Sequence, residues 1–142
     1  MNPLVLTIDD DPAITDLLSV LLKANGFDVL VANSGTDGLR MITELSPRLV
    51  ILDLMMPDMD GWQVCKAARE FTSLPILILS ALYEPSIVAS VLDNGADDFL
   101  TKPVPSAVLI AHLNKLARRT ESLHRFPHDR SHWSPSTHPL YP

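Results

Sequence analysis

The segment LVLTIDDDP, Leu4–Pro12, joins an apolar run to three adjacent carboxylates. The run LVLTI is short and does not alternate between apolar and polar residues, which is typical of a parallel strand buried on both faces. Pro12 suits the first position of a helix, and Asp11 before it is a typical helix N-cap. The segment therefore predicts a buried strand, an acidic turn and the start of a helix.

The same order of strand and helix recurs along the chain. Further strands are predicted at Phe27–Ala32, Arg48–Leu54, Pro75–Ala81 and Asp97–Lys102, and segments with helical spacing or helix start and stop residues follow each of them. Five strand-then-helix units predict an α/β fold, a doubly wound parallel sheet with helices on both faces.

The length and the change in composition near residue 120 predict one domain and a tail. Residues 1–120 fit a single domain. Residues 121–142 are rich in proline, histidine and serine and show no periodicity, so they are expected to form a disordered tail or the start of a linker. Metal binding by the tail histidines is disfavoured because their spacing is irregular.

Charge and composition narrow the function classes. The formal net charge is −6, which disfavours direct nucleic-acid binding because that binding depends on basic surface. A single cysteine excludes an intramolecular disulfide. The sequence shows neither a signal peptide nor an apolar run of about 20 residues, so a cytoplasmic protein without membrane contact is expected.

Polar side chains end four of the predicted strands. They are Asp9 and Asp10, Asp53, Ser80 and Lys102. Carboxyl ends of parallel strands meet at one edge of the sheet, where α/β proteins place their sites. Carboxylate oxygens without nearby nitrogen or sulfur ligands favour Mg²⁺, with Mn²⁺ as an alternative. An aspartate can also act as a nucleophile and form an aspartyl phosphate. The pattern predicts a phosphoryl-transfer site, with Lys102 as a countercharge and Ser80 as a hydrogen-bond donor to a phosphoryl oxygen.

Four motifs together resemble one family. DDDP at 9–12, DLMMPDMDG at 53–61, LSA at 79–81 and GADDFLTKP at 95–103 resemble the receiver domain of two-component response regulators. The resemblance covers about residues 3–119. It implies a flavodoxin-like receiver fold, a five-stranded parallel sheet in the order 2-1-3-4-5.

The resemblance also implies a role for each matching residue. Asp53 would be the phosphoacceptor, supported by Ser80 and Lys102, and Phe99 would occupy the aromatic switch position. Mg²⁺ would be held by Asp9, Asp10, Asp53 and the backbone carbonyl of Met55. The Lys102–Pro103 peptide bond would be cis, and Gly61 would open the third helix.

The implied partner is a sensor histidine kinase or a phosphotransfer protein, and the chain is not expected to be an enzyme beyond self-catalysed phosphotransfer and autodephosphorylation.

The stretch from Gly95 to Arg119 resembles receivers of the winged-helix (OmpR/PhoB) transcription-factor type. Such receivers dimerise through helix four, strand five and helix five, which suggests pairing of Asp97 or Asp98 with Arg118 or Arg119 across a two-fold axis. His112 stands where that group often has arginine. Because the sequence contains no DNA-binding domain, the chain is either a fragment of a larger regulator or acts by protein contact.

Three other classes remain as alternatives. A flavin-binding electron carrier would need a phosphate loop rich in Ser, Thr and Gly after the first strand, whereas DDDP would repel phosphate. A haloacid-dehalogenase-type phosphatase would need an acid two residues after its nucleophile, where this chain has Met55. A structural adaptor with a relict site is disfavoured by the intact acidic set, and phosphorylation data would exclude it.

Overall fold

The computed structural model describes residues 2–125. Its elements alternate strictly between strand and helix. In chain order they are β1 Leu4–Ile8, α1 Pro12–Ala24, β2 Asp28–Ala32, α2 Gly35–Leu45, β3 Leu49–Leu52, α3 Gly61–Ala68, β4 Ile76–Ser80, α4 Pro85–Asp93, β5 Asp98–Thr101 and α5 Ser106–Arg125. The strands form one parallel sheet in the order β2-β1-β3-β4-β5, which confirms the predicted fold.

Two apolar layers explain why the strand sequences do not alternate. Alternate side chains of each strand point to opposite faces of a sheet, so a sheet covered on both sides needs apolar residues at every position. Leu6 and Val50 belong to a core completed by buried residues of α2, α3 and α4. Val5 and Leu49 belong to a second core, completed by buried residues of α1 and α5.

Helix α1 begins and ends where the sequence predicts. The Asp11 carboxylate accepts a hydrogen bond from the Ala13 N–H at 3.0 Å, so the third acid of the DDD run is the helix N-cap. Pro12 occupies the first turn. Gly26, which follows the C-cap Asn25, has φ +90°, a conformation that favours glycine because it has no Cβ. Asp11 therefore belongs to the fold rather than to the acidic site.

The far end of the domain differs from the prediction. Helix α5 continues to Arg125, past the predicted domain boundary at residue 120. The remainder of the predicted tail, residues 126–142, lies outside the described residues. Within residues 2–125, no helix has the length and apolarity needed to cross a bilayer.

Candidate functional site

Three carboxylates meet at the carboxyl edge of the sheet. Asp9 and Asp10 follow β1 and Asp53 follows β3, and one carboxylate oxygen from each lies within 4.8 Å of the others. The two strands are neighbours, and the Asp53 N–H donates to the Ile8 carbonyl at 3.0 Å, which sets the two strand ends side by side. The sequence prediction that these three side chains lie together is therefore correct. Their oxygen-only donor set suits a hard divalent cation such as Mg²⁺.

The three acids differ in exposure. Asp9 and Asp53 are buried, with 5% and 9% of their surface exposed, whereas Asp10 is exposed. Burial raises the pKa of Asp53, and the nearby Asp9 and Asp10 charges raise it further. Lys102 and a hydrogen bond from the Leu54 N–H oppose this rise. The balance means that ionised Asp53 carries an electrostatic cost in the metal-free protein.

Lys102 supplies the countercharge across the site. Its Nζ donates to Asp9 Oδ2 at 3.0 Å and lies 3.8 Å from Asp53 Oδ1. The Lys102 N–H donates to the Ser80 carbonyl at 2.9 Å, and the Lys102–Pro103 peptide bond is cis, as the resemblance implied. Lys102 thus contacts two of the acids although it is more than 40 residues from the nearer one in the sequence.

Ser80 and Phe99 lie on adjacent strands. Ser80 ends β4 and is 1% exposed, and its Oγ accepts a hydrogen bond from the Leu82 N–H at 3.1 Å. Phe99 lies in β5, is half-buried and packs against the core formed with α4. The exposed Tyr83 meets the Phe99 ring edge-to-face, with 6.3 Å between centroids. An exposed aromatic ring beside Phe99 is a feature that the sequence interpretation missed.

The loop between β3 and α3 contains the remaining predicted site residue. Met55 lies two residues after Asp53, and its side chain is exposed. Gly61 opens α3 after the N-cap Asp60. A Cβ on Gly61 would lie 2.7 Å from the Asp53 carbonyl oxygen and 2.8 Å from Leu54 Cα, so only glycine lets the loop close against the strand end. Gly61 therefore shapes the backbone that carries Asp53.

Asp97 and Asp98, at the start of β5, both have partners on α5 within the chain. Asp97 Oδ1 accepts from Arg119 Nη2 at 2.7 Å, and Asp97 Oδ2 pairs with Arg69 Nη2 at 2.8 Å. Asp98 pairs with His112, which stands where winged-helix-type receivers often have arginine. Asp97 thus pairs with Arg119 within one chain, whereas the prediction placed such a pair across a two-fold axis; pairing between two chains stays a prediction.

Residues 33–36, which run from the end of β2 into the first turn of α2, were not predicted to contribute to the site, yet they contact both acidic loops. The Asn33 side-chain amide donates to the Asp9 carbonyl at 2.9 Å. The Asp58 carboxylate accepts from the Gly35 and Thr36 N–H groups, at 3.1 Å each. The NSGT sequence at 33–36 signals a helix N-terminus, but no sequence pattern reveals which distant loops it touches.

Comparison with known families decides the assignment. Residues 5–114 match the family model of the response regulator receiver domain. The chain belongs to the response regulator receiver domain family. The match extends over the acidic cluster, Ser80, Phe99 and Lys102, so this receiver has the whole described site within the matched region.

Curated relatives of this receiver include named transcriptional regulators. The DNA-binding dual master transcriptional regulator RpaA of Synechocystis sp. is 41% identical over 124 residues, which are 85% of this chain and 52% of RpaA. The transcriptional regulatory protein AfsQ1 of Streptomyces coelicolor is 41% identical over 84% of this chain and 53% of AfsQ1. The chain thus spans about half the length of the curated relatives it matches.

Solved receiver structures share the fold over nearly their whole length. The receiver domain of the Francisella response regulator 1452 is 37% identical, with a TM-score of 0.80, and the match covers 84% of this chain and 99% of that one. The BeF3-activated N-terminal receiver domain of Klebsiella pneumoniae RstA is 32% identical, with a TM-score of 0.78 over 81% of this chain and 98% of that one.

Proposed function

We propose that this receiver is a phosphorylation-activated switch in which Asp53 accepts a phosphoryl group from a sensor histidine kinase or a phosphotransfer protein. The observation that carries the proposal is the grouping of Asp9, Asp10 and Asp53 within 4.8 Å, with the Lys102 ammonium 3.0 Å from Asp9. Three acids and one cation leave an excess of negative charge. This excess is energetically unfavourable in a partly buried site unless a further cation binds there.

The donor set supports Mg²⁺ or Mn²⁺ as that cation. Asp9, Asp10, Asp53 and the Met55 backbone carbonyl would hold it, and when bound it would neutralise the acids and screen them from the phosphoryl donor. With a divalent cation and Lys102, the three carboxylates balance to a net charge of zero. This balance favours approach of a phosphoryl group, which carries negative charge of its own.

The chain's own residues have distinct parts in the transfer. An Asp53 carboxylate oxygen attacks phosphorus, the bond from phosphorus to the donor breaks, and the donor leaves with the electron pair. Lys102 Nζ, already 3.8 Å from Asp53, neutralises charge that develops on the phosphoryl oxygens. The Ser80 hydroxyl donates to one of those oxygens. The product is an aspartyl phosphate, which gives the site more acceptor oxygens than the carboxylate had.

Recruitment of Ser80 is the proposed link to the output surface, α4–β5–α5. In the described state the Ser80 Oγ is held by the Leu82 N–H, at the start of the loop that leads to α4. Movement of Ser80 toward the phosphoryl group changes this loop and leaves space that Phe99 can enter. Tyr83 and Phe99 then rearrange together because their rings are in contact. Phosphorylation thus biases the α4–β5–α5 surface toward a second state.

The curated relatives suggest what this surface does. Their names describe DNA-binding or transcriptional regulators, and about half of each relative matches this chain. We propose that this receiver controls such an output in the cytoplasm through homodimerisation on α4–β5–α5, and that the receiver itself does not contact nucleic acid. The net charge of −6 supports the last point, because DNA binding needs basic surface.

One experiment tests the central claim. The protein is incubated with Mg²⁺ and acetyl phosphate, and intact mass and light scattering are recorded beside Asp53→Asn and a reaction with EDTA. We expect one added phosphoryl group on the wild type alone, with a rise in the dimer fraction. An unmodified wild-type mass would overturn phosphoacceptance, and a modified protein that stays monomeric would overturn the dimer output. Sustained turnover of a phosphate ester would instead indicate a phosphatase.

A further inference from the structure

The site depends on two loops that the sheet supports only at their first residues. Strand pairing fixes the ends of β1 and β3. Asp10 lies beyond the paired residues of β1, and Met55 lies beyond those of β3. Both loops are hydrogen-bonded to the same short segment, residues 33–36, which contains the N-cap and the first two residues of α2 and which we call the α2 clasp.

The first side of the α2 clasp holds the loop after β1. The Asn33 Nδ2 donates to the Asp9 carbonyl at 2.9 Å and to Thr15 Oγ1 at 3.1 Å. Thr15 is fully buried in the first turn of α1, and its hydroxyl donates to the Pro12 carbonyl at 3.1 Å. One amide therefore ties the backbone of the acidic turn to the helix that follows it. The turn cannot shift without breaking these bonds.

The second side of the α2 clasp holds the loop after β3. The Asp58 carboxylate accepts from the Gly35 N–H and the Thr36 N–H at 3.1 Å each, and from Thr36 Oγ1 at 2.9 Å. The hydrogen bonds from Thr36 lower the pKa of Asp58 to about 2, so this carboxylate is ionised across the physiological range. Its charge also complements the N-terminus of α2.

Close approach of the clasp to this loop requires glycine at position 35. A Cβ on Gly35 would lie 2.5 Å from the Met59 carbonyl oxygen and 2.8 Å from Met59 Cβ. Gly35 has no unusual φ, so the reason for glycine here is space rather than backbone conformation. The contact between the clasp and the β3–α3 loop is thus built into the backbone as well as into Asp58.

We propose that Asn33 and Asp58 are positioning residues for the cation site, because the α2 clasp fixes the loops after β1 and β3 relative to each other. The inference rests on the proposed Mg²⁺-dependent function. A cation binds more tightly to ligands that are already in place than to ligands it must order, and residues that orient metal ligands are worth tenfold or more in affinity in other proteins. Asp10 and Met55, which lie past the paired strand ends, depend most on this support.

The test compares two clasp variants, Asn33→Ala and Asp58→Asn, with wild type. Asp58→Asn keeps the shape of the side chain but weakens its three hydrogen bonds. Asp37→Asn is the matched control, because it removes one negative charge from the first turn of the same helix, and no described hydrogen bond joins its carboxylate to either loop. Mg²⁺ alone is titrated by calorimetry, and amide hydrogen exchange is followed in metal-free protein with EDTA.

We expect Mg²⁺ affinity to fall about tenfold in each clasp variant and less than about twofold in Asp37→Asn. In metal-free protein, exchange should accelerate at residues 54–60 in Asp58→Asn and at residues 10–13 in Asn33→Ala, with melting temperatures close to wild type. If amide exchange in these loops is unchanged in the variants, Asn33 and Asp58 do not position the loops. This result would overturn the proposal regardless of how the wild type binds Mg²⁺. Equal loss of affinity in Asp37→Asn would also overturn it, because charge alone would then explain the effect. A wild type that binds no Mg²⁺ would overturn the proposed function itself, and with it this role of the clasp.

Discussion

The two ends of the sheet contain polar clusters of opposite character. At the carboxyl end, Asp9, Asp10 and Asp53 face one ammonium group, so negative charge is in excess. At the amino ends of β4 and β5, the single carboxylate of Asp97 faces two guanidinium groups and accepts the Ile76 N–H at 2.8 Å.

The polar groups of the amino-end cluster are also more completely hydrogen-bonded than those of the carboxyl-end cluster. Arg69 donates to Asp97 and to the Gly95 and Leu74 carbonyls, at 2.8 to 2.9 Å, and so joins the end of α3 to β4 and to the start of β5. A cluster with balanced hydrogen bonds stabilises a fold by itself. A buried cluster with unbalanced charge destabilises the fold unless a ligand joins it. The difference indicates that the amino end contributes to stability, whereas the excess negative charge at the carboxyl end fits the cation-dependent role proposed for it.

The largest effect is expected from Arg69→Met at the amino end. Arg69 and Asp97 are about 20% exposed, and removal of the guanidinium breaks its hydrogen bonds to the Asp97 carboxylate and to two backbone carbonyls. We expect the free energy of unfolding, measured in urea, to fall by about 3 kcal/mol. Arg40→Met, which removes an exposed pair with Glu44, should cost less than about 0.5 kcal/mol. Comparable losses in both variants would contradict the structural role of the amino-end cluster.

A smaller effect that depends on the cation is expected from Lys102→Met at the carboxyl end. The substitution leaves Asp9 and Asp53 without this countercharge, so metal-free protein should lose about 2 kcal/mol in urea unfolding. With Mg²⁺ present the loss should shrink, because the cation takes over part of the neutralisation. An equal loss with EDTA and with Mg²⁺ would show that Lys102 acts independently of a metal site.

Asp53→Asn is expected to stabilise the metal-free protein. The raised pKa of Asp53 means that the folded protein holds this proton to higher pH than the unfolded chain, whose carboxyl titrates near 3.8. The free energy of unfolding therefore falls as the pH rises from below 3.8 through the pKa of Asp53 in the folded protein. At neutral pH, ionised Asp53 still lowers the stability of the fold.

The asparagine variant should lack this pH dependence and be more stable than wild type at neutral pH in EDTA. It should also lose most of the Mg²⁺-induced rise in melting temperature. Urea unfolding of wild type and variant, between about pH 4 and pH 7 with EDTA, measures the difference. A variant less stable than wild type at neutral pH would show that the Lys102 attraction outweighs the repulsion among the acids.

The smallest effect is expected from Arg119→Gln. Arg119 is the exposed partner of Asp97, with 51% of its side chain exposed, so its loss should cost about 0.5 kcal/mol. The cost should decline further in high salt, whereas that of Arg69→Met should persist because its bonds are partly buried. Thermal melts at low and high salt give both values. A larger loss of stability in Arg119→Gln than in Arg69→Met would show that Arg119, not Arg69, is the partner of Asp97 that contributes most to stability.

Most of the fold and the main acidic cluster were predictable because their signals are local. Apolar runs of strand length, Asp11 before Pro12, and polar residues at strand ends can each be read from a few neighbouring positions. The rule that parallel strand ends share one edge then brings Asp9 and Asp53 together. The Asp97–Arg69 pair and the Tyr83–Phe99 contact could not be predicted in this way, because each joins elements whose packing distance no local pattern specifies.

The sequence by itself determined the order of strands and helices, the acidic strand ends and the N-cap role of Asp11. The tertiary structure decided that the Asp97–Arg119 pair lies within one chain, and that α5 continues to Arg125. It also decided that Asn33 and Asp58 fasten the two acidic loops to the N-terminus of α2. The physical reason is that a hydrogen bond or ion pair between distant segments forms only if its two atoms are placed to within a few tenths of an ångström. Only the packing of the whole chain sets that placement.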